Sequence, residues 1–158
     1  MDMFALDDEV SQWETALPTL RGPARLPVLV PLAWHLRQRD SARATALARE
    51  GLDLLPATAL TPEAQTLTSA RLRLVEAEAA WLQGRLAEAE TLAAAIAEQL
   101  HAQGDRRGCA DTRWLRAWIA IDGGDHQGGI VHLEHMAAIT GQAGDTERVS
   151  IAEATIAR

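Results

Sequence analysis

The sequence predicts an all-α fold of about seven helices in antiparallel helix–turn–helix repeats, and three observations carry that expectation. Of 158 residues, 31 are Ala and 21 are Leu, while aromatic residues make only 4%; strong helix formers dominate and strand formers are scarce. Pro, Gly and capping residues interrupt the apolar pattern at intervals of about one helix. The junctions between neighbouring helices superpose on one another, which is the mark of a repeat. No alternating apolar–polar run points to a sheet.

Each element has a local cause. A first helix over about residues 6–17 is stopped by Pro18, which has no N–H to continue the ladder. Residues 19–25, with Gly22 and Pro23, read as a connector. The next helix starts between Pro27 and Pro31, with Pro31 acceptable as its first residue, and ends near Gln38. Asp40 or Ser41 caps a helix to about Leu55, in which Ala44, Leu47, Ala48, Gly51, Leu52 and Leu55 share one face. Thr61-Pro62-Glu63 is a strong start signal: Thr caps, Pro takes the first helical position, and Glu meets the positive helix end. That helix runs to about Gln83 and breaks at Gly84. Its partner covers about residues 86–102 and ends at Gly104. Asp105 opens a helix to about Ile121, Gly123-Gly124 turns the chain, and another helix covers about 126–140. Gly141 and Gly144 end it, and Asp145 caps a last segment that runs to Arg158. Connections this short force antiparallel neighbours.

Charge and cysteine usage exclude several functions. With 15 basic and 22 acidic residues the formal net charge is −7, and every basic residue is Arg. A nucleic-acid binder needs a basic stripe to displace counterions, so no nucleic-acid partner is expected. One Cys makes neither an internal disulfide nor a Cys-based zinc site. The acidic N-terminus lacks the basic start of a secretory signal. The longest nearly apolar stretch, residues 26–34, is far short of the roughly 20 residues a membrane helix needs. A cytoplasmic protein without a membrane partner is the expectation. The absence of Lys, Asn and Tyr, all with AT-rich codons, points to a GC-rich bacterial genome.

The junctions Arg39-Asp40-Ser41-Ala42-Arg43-Ala44, Gly84-Arg85-Leu86-Ala87-Glu88-Ala89 and Gly124-Asp125-His126-Gln127-Gly128-Gly129 align, with a fourth start at Gly144-Asp145. Their anchors Ala44, Ala89 and Gly129 lie 45 and 40 residues apart, and Ala77 and Ala117 repeat the 40. Small residues recur there because helices approach to about 8 Å only where side chains are small, and such pairs must stack to bury their apolar faces. These junctions resemble tetratricopeptide repeats, with a small residue in the first helix, Gly before the turn and Ala five positions later. The period is longer than the family's 34, Leu32 stands where a small residue is expected, and Gly129 replaces Ala. The resemblance covers about residues 26–158. It divides the chain into an N-terminal helix and connector (1–25) and an array (26–158) with units at about 26–57, 61–104 and 105–143 and a partial unit at 144–158.

The segment Leu32-Ala33-Trp34-His35-Leu36-Arg37, followed by Asp40 and Arg43-Ala44-Thr45-Ala46-Leu47-Ala48, resembles the opening repeat of helical sensor regions in bacterial signalling proteins. Such regions often precede a diguanylate cyclase (GGDEF) domain. The resemblance implies a non-enzymatic module that senses, docks or dimerises, with a protein or peptide partner, a second copy of the chain included. It implies no cofactor. The alternative is a peptide or small-molecule receptor. The family's groove-facing pattern, carried onto this register, selects Arg71, Leu74, Glu78 and Trp81 from one unit and Asp111, Trp114, Trp118 and Ile121 from the next. Aromatic anchors with a few charges are what grips a peptide; the competing reading is that these Trp residues fill the core.

The remaining motifs have plain readings. Gly123-Gly124-Asp125 is a helix–helix turn, since His126-Gln127 follow where cyclase chemistry needs acidic residues. His132 and His135, at i and i+3, are weak candidates for a metal, with a third ligand to come from elsewhere, such as Asp122, Asp125 or Cys109. Cys109 lies near Arg106 and Arg107 without a catalytic partner and reads as an inert thiol. Arg71, Arg73, Arg113 and Arg116 suit acidic partners or anions, and are expected instead to pair with Glu76, Glu78 and Asp111. No nucleophile, base and orienting group stand together, so no enzyme is expected.

Overall fold

The computed structural model describes Met3 and residues 7–157. Eight α-helices follow one another among the described residues: α1 (Asp7–Ala16), α2 (Leu26–Leu36), α3 (Ser41–Leu54), α4 (Pro62–Leu82), α5 (Leu86–Ala102), α6 (Arg106–Asp122), α7 (His126–Gly141) and α8 (Thr146–Ile156). Short 3-10 turns at Leu17–Thr19, Gly22–Arg25 and Leu55–Ala57 complete the pattern. Residue 6, expected in the first helix, and residue 158, expected in the last segment, lie outside the described residues.

The structure corrects the sequence reading at two points. The segment after Asp145 forms a helix of its own, so the count among the described residues is eight rather than about seven. The second helix starts at Leu26, with Pro27 in its first turn, and carries Pro31 inside it. Pro31 forfeits one early backbone bond, but the helix buries Leu26, Leu29, Leu32, Ala33, Trp34 and Leu36. Tertiary burial outweighs local propensity there.

The turns explain the regular spacing. Gly84, Gly104, Gly124 and Gly144 end α4 to α7 with φ between +69° and +88°, a region that penalises any Cβ. At each, the glycine N–H donates back three residues and the next N–H donates back five. After α6 these are Gly124 N to Ile121 O at 2.9 Å and Asp125 N to Ala120 O at 2.8 Å. This Schellman closure satisfies the last carbonyls of the helix. The four glycines lie 20 residues apart, so every helix-plus-turn step has one length. Asp105, Asp125 and Asp145 then cap the following helix by accepting from the N–H of Gly108 (2.9 Å), Gly128 (2.8 Å) and Arg148 (3.3 Å). Asp40 does the same for Arg43 at 3.0 Å.

Chain contacts divide the protein into two compact units, Met1–Ala79 and Ala80–Arg158, with α4 contributing residues to both. In the first, α1 packs on α2 and α2 on α3; in the second, α5 packs on α6, α6 on α7 and α7 on α8. The buried stripes repeat. In α3 the stripe includes Ala44, Ala48 and Gly51, with Leu55 after it; in α5 it is Ala89, Ala93, Ile96 and Leu100; in α7 it is Gly129, Leu133, Met136 and Thr140. In α4, Ala70, Leu72, Leu74, Val75 and Ala77 are buried, as are Ala110, Thr112, Trp114, Leu115 and Ala117 forty residues later. The chain is thus an all-α arrangement of sequentially packed helices consistent with a helical repeat.

Two details account for departures from the repeat. A Cβ on Gly129 would lie 2.6 Å from Ile121 Cγ1 and 3.1 Å from the Ala117 carbonyl, so Gly replaces Ala because Ile121 fills the space. Helix α1 buries no side chain of its own. Polar contacts hold it instead: Asp7 pairs with Arg39 at 2.7 Å, Glu14 pairs with Arg43, and Trp13 stacks on His35 with ring centroids 5.4 Å apart.

Two substitutions test this account. Gly129→Ala should cost about 1–3 kcal/mol through overpacking, although Ala is the better helix former, and Ile121→Ala in the same chain should recover part of the loss. Gly124→Ala should cost about 1 kcal/mol because its φ is left-handed. Urea denaturation monitored by circular dichroism measures both.

Candidate functional site

Three of the five Trp residues come together in the second unit. Trp81 lies at the end of α4, and Trp114 and Trp118 lie one turn apart on α6. Their ring centroids are 6.0 Å (81–114), 6.2 Å (81–118) and 6.2 Å (114–118) apart, with interplanar angles of 85°, 31° and 66°. Edge-to-face and offset pairs of this kind contribute about 0.5–1.5 kcal/mol beyond their burial. Trp114 is buried, whereas Trp81 and Trp118 are half-buried. Trp81 donates its Nε1–H to Asp122 Oδ2 at 2.7 Å, which ties the end of α4 to the last residue of α6. Trp118 Nε1 is shielded from solvent and meets no acceptor among the described residues. At these separations the rings pack on one another and leave no slot between them for a flat ligand. Leu82, beside Trp81, is 46% exposed.

The charged groove candidates are placed differently. Glu78 is 1% exposed. It accepts from Arg37 Nε at 2.8 Å and from Gln38 Nε2 at 2.7 Å. Arg37 in turn lies 3.8 Å above the Trp34 ring centroid and donates to the Trp34 carbonyl at 2.7 Å. Asp111 is 1% exposed and takes two bonds from Arg148, at 2.8 and 3.3 Å. Arg71, Leu74 and Trp114 are buried, and Ile121 packs against Gly129. Glu78 and Asp111 therefore lie in ion-paired interiors rather than on an open face. Of the groups expected to pair, Glu76 meets Arg49 at 3.2 Å, and Arg116 meets Glu90 at 2.5 Å.

Around Arg148 four charges interlock. Its Nη1 donates to Asp145 at 2.9 Å, its Nε to Asp111, and Arg107 Nε reaches Asp145 at 3.1 Å. Burial opposes the charge on Asp145, but the Arg148 N–H and guanidinium, with Arg107, hold its carboxyl below its ordinary value. Burial likewise opposes the charge on Arg148, and its bonds to Asp111 and Asp145 overcome that and raise its pKa. Sequence reading assigned Asp145 only a capping role and missed Arg148 and Arg37. An Arg three residues after a capping Asp, where Glu is usual, was the available signal.

His132 is half-buried and its Nδ1 accepts from Arg113 at 3.1 Å. His135 is exposed one turn on. A cation at this pair would face two guanidiniums, and no group of three or more metal-ligating side chains occurs among the described residues. Cys109 is half-buried, and Arg107 beside it is turned to Asp145. Gly123-Gly124 is the turn between α6 and α7. No described helix is long and apolar enough to cross a membrane. No protein family, curated protein or solved structure matches the chain.

The buried cluster makes two predictions. Arg148→Met should destabilise by about 3–5 kcal/mol, because the buried Asp111 and Asp145 lose the guanidinium between them, and adding Asp111→Leu should restore part of it; chemical denaturation of the single and double variants decides. Asp145 titrates lower in the folded chain than its ordinary value of 3.8, so its stabilisation is complete above that value and is lost as pH falls through the lower folded value. An acid titration of the denaturation midpoint should show this loss, and Asp145→Asn should flatten it.

Proposed function

We propose that the chain is a non-enzymatic interaction module that docks a protein or peptide, a second copy of itself included, through the surface at Trp81 and Trp118. The observation that carries this reading is the Trp cluster. A chain with one Phe and no Tyr groups three Trp residues on two helices and leaves two of them half-buried. Interface anchors are drawn from Trp above most residue types, because one rigid side chain supplies a large area at small entropic cost. Leu82 extends the apolar surface beside Trp81.

The repeated helices support the same reading. Helix pairs of constant step present similar faces in series, which is how helical arrays build extended binding surfaces. The resemblance of the junctions to tetratricopeptide repeats, and of residues 32–48 to the sensor regions that precede diguanylate cyclase domains, favours a regulatory part in a bacterial cytoplasmic signalling protein. The reading assigns no catalytic step, metal or cofactor. A peptide receptor would use the same surface and differ only in its occupant.

Size-exclusion chromatography with light scattering, combined with Trp fluorescence, tests the proposal. Self-association across the micromolar range, or binding of amphipathic helical peptides, should shift the emission to the blue, and Trp81→Ala should weaken it. A strict monomer whose emission stays unmoved by concentration and by every peptide overturns the reading.

A further inference from the structure

We propose that the surface where α6 lies between α5 and α7 binds a small phosphate-type oxyanion, held by Arg113 and Arg116 with His132 as a proton-dependent third donor. The site uses residues outside the Trp cluster, so it goes beyond the docking reading, and either can fail without the other. Its starting point is an unusual pairing. Other arginines with limited exposure meet carboxylates: Arg25 on Glu50, Arg37 on Glu78, Arg148 on Asp111 and Asp145. In a chain of net charge −7 carboxylates are plentiful. Arg113 nevertheless meets an imidazole, with Nη1 3.1 Å from His132 Nδ1. Among the described residues no carboxylate lies within ion-pair distance of it.

The geometry sets the protonation state. A guanidinium only donates, so Nδ1 must accept, and His132 is a neutral imidazole with its proton on Nε2. The charges that act on His132 are Arg116 and Arg113 from α6, Glu90 from α5 and His135 one turn along α7. From α8, the buried Arg148 is turned to Asp111 and Asp145. Burial first, then the two guanidiniums, hold the imidazole below its ordinary value, and Glu90 opposes them only in part.

Glu90 fixes Arg116 from one side. Its Oε1 takes Nε and Nη2 at 2.9 and 2.5 Å, which leaves Nη1 for a ligand. Arg113 keeps Nε and Nη2 as well. Two arginines three residues apart on one helix lie on one face and can donate to a single ligand from two side chains, which suits a tetrahedral oxyanion with its several acceptor oxygens. A dianion across them offsets the repulsion that, together with burial, keeps His132 neutral. When His132 takes a proton on Nδ1, it stops accepting from Arg113, frees that guanidinium for the ligand, and becomes a donor itself. Anion binding and protonation are therefore linked: each must favour the other.

Side-chain nitrogen NMR of His132 in the wild-type chain reads this directly. Inorganic phosphate should raise its pKa relative to chloride at equal ionic strength, and the affinity for sulfate, which stays a dianion throughout, should rise about tenfold between about pH 7.5 and about 5.5, the gain of one charge-assisted bond. Phosphoserine, a sugar phosphate and sulfate form parallel arms that separate free from ester-bound phosphate and from oxyanions in general. Arg113→Gln should abolish the effect of phosphate, and His132→Gln should keep binding while flattening its pH dependence. The proposal is overturned if phosphate moves the His132 titration no more than chloride does, or if Arg113→Gln binds phosphate as the wild type does.

Discussion

A helix that closes on a left-handed glycine returns the chain antiparallel within two residues, and this closure at Gly84, Gly104, Gly124 and Gly144 sets the spacing on which the rest depends. With one length for each step, residues 40 apart occupy equivalent places, and the buried stripe Ala89, Ala93, Ile96, Leu100 recurs as Gly129, Leu133, Met136, Thr140. The same spacing brings side chains of non-adjacent helices together. Trp81 and Asp122 stand 41 residues apart and share a bond of 2.7 Å. A helix one residue longer would rotate its face by about 100° and lose that register.

Within this frame the buried charges act as specific locks. Burying an ion pair brings little net stability over an apolar pair of the same shape, yet removing one member leaves the other stranded. Arg37 with Glu78, and Arg148 with Asp111 and Asp145, are of this type. Each joins helices that are not neighbours in sequence. An Ala-rich interior offers few distinctive shapes, and a guanidinium that must meet a carboxylate rejects packings that apolar side chains alone would tolerate. The half-buried Arg113 is different in kind, because its partner carries no negative charge.

Much of the fold was legible before the structure. Helix starts at Asp40, Thr61, Asp105 and Asp145 follow from capping chemistry, and the ends at Gly84, Gly104 and Gly124 from the backbone freedom that only glycine has. The start of α2 was misread because propensity at Pro31 is a local quantity, while burial of the Leu-rich face around it is not. In α8 the apolar face is thin: Ala152 and the aliphatic stem of Arg148 carry its burial. Trp81, Trp114 and Trp118, which the helical register groups together, pack on one another. The roles of Glu78 and Asp111 were not legible, because a helical register shows which residues share a face and says nothing of a partner about 40 positions away.

The sequence by itself therefore determined helix content, most of the places where helices begin and end, the 20-residue spacing of Gly84, Gly104, Gly124 and Gly144, and a net charge of −7. These depend on backbone chemistry and composition, which act within a few residues. Only the tertiary structure decided which charges meet, that Trp81, Trp114 and Trp118 pack on one another, and that Arg113 faces His132 rather than a carboxylate. Those outcomes depend on how side chains from distant segments fill one space, and no local rule contains that information.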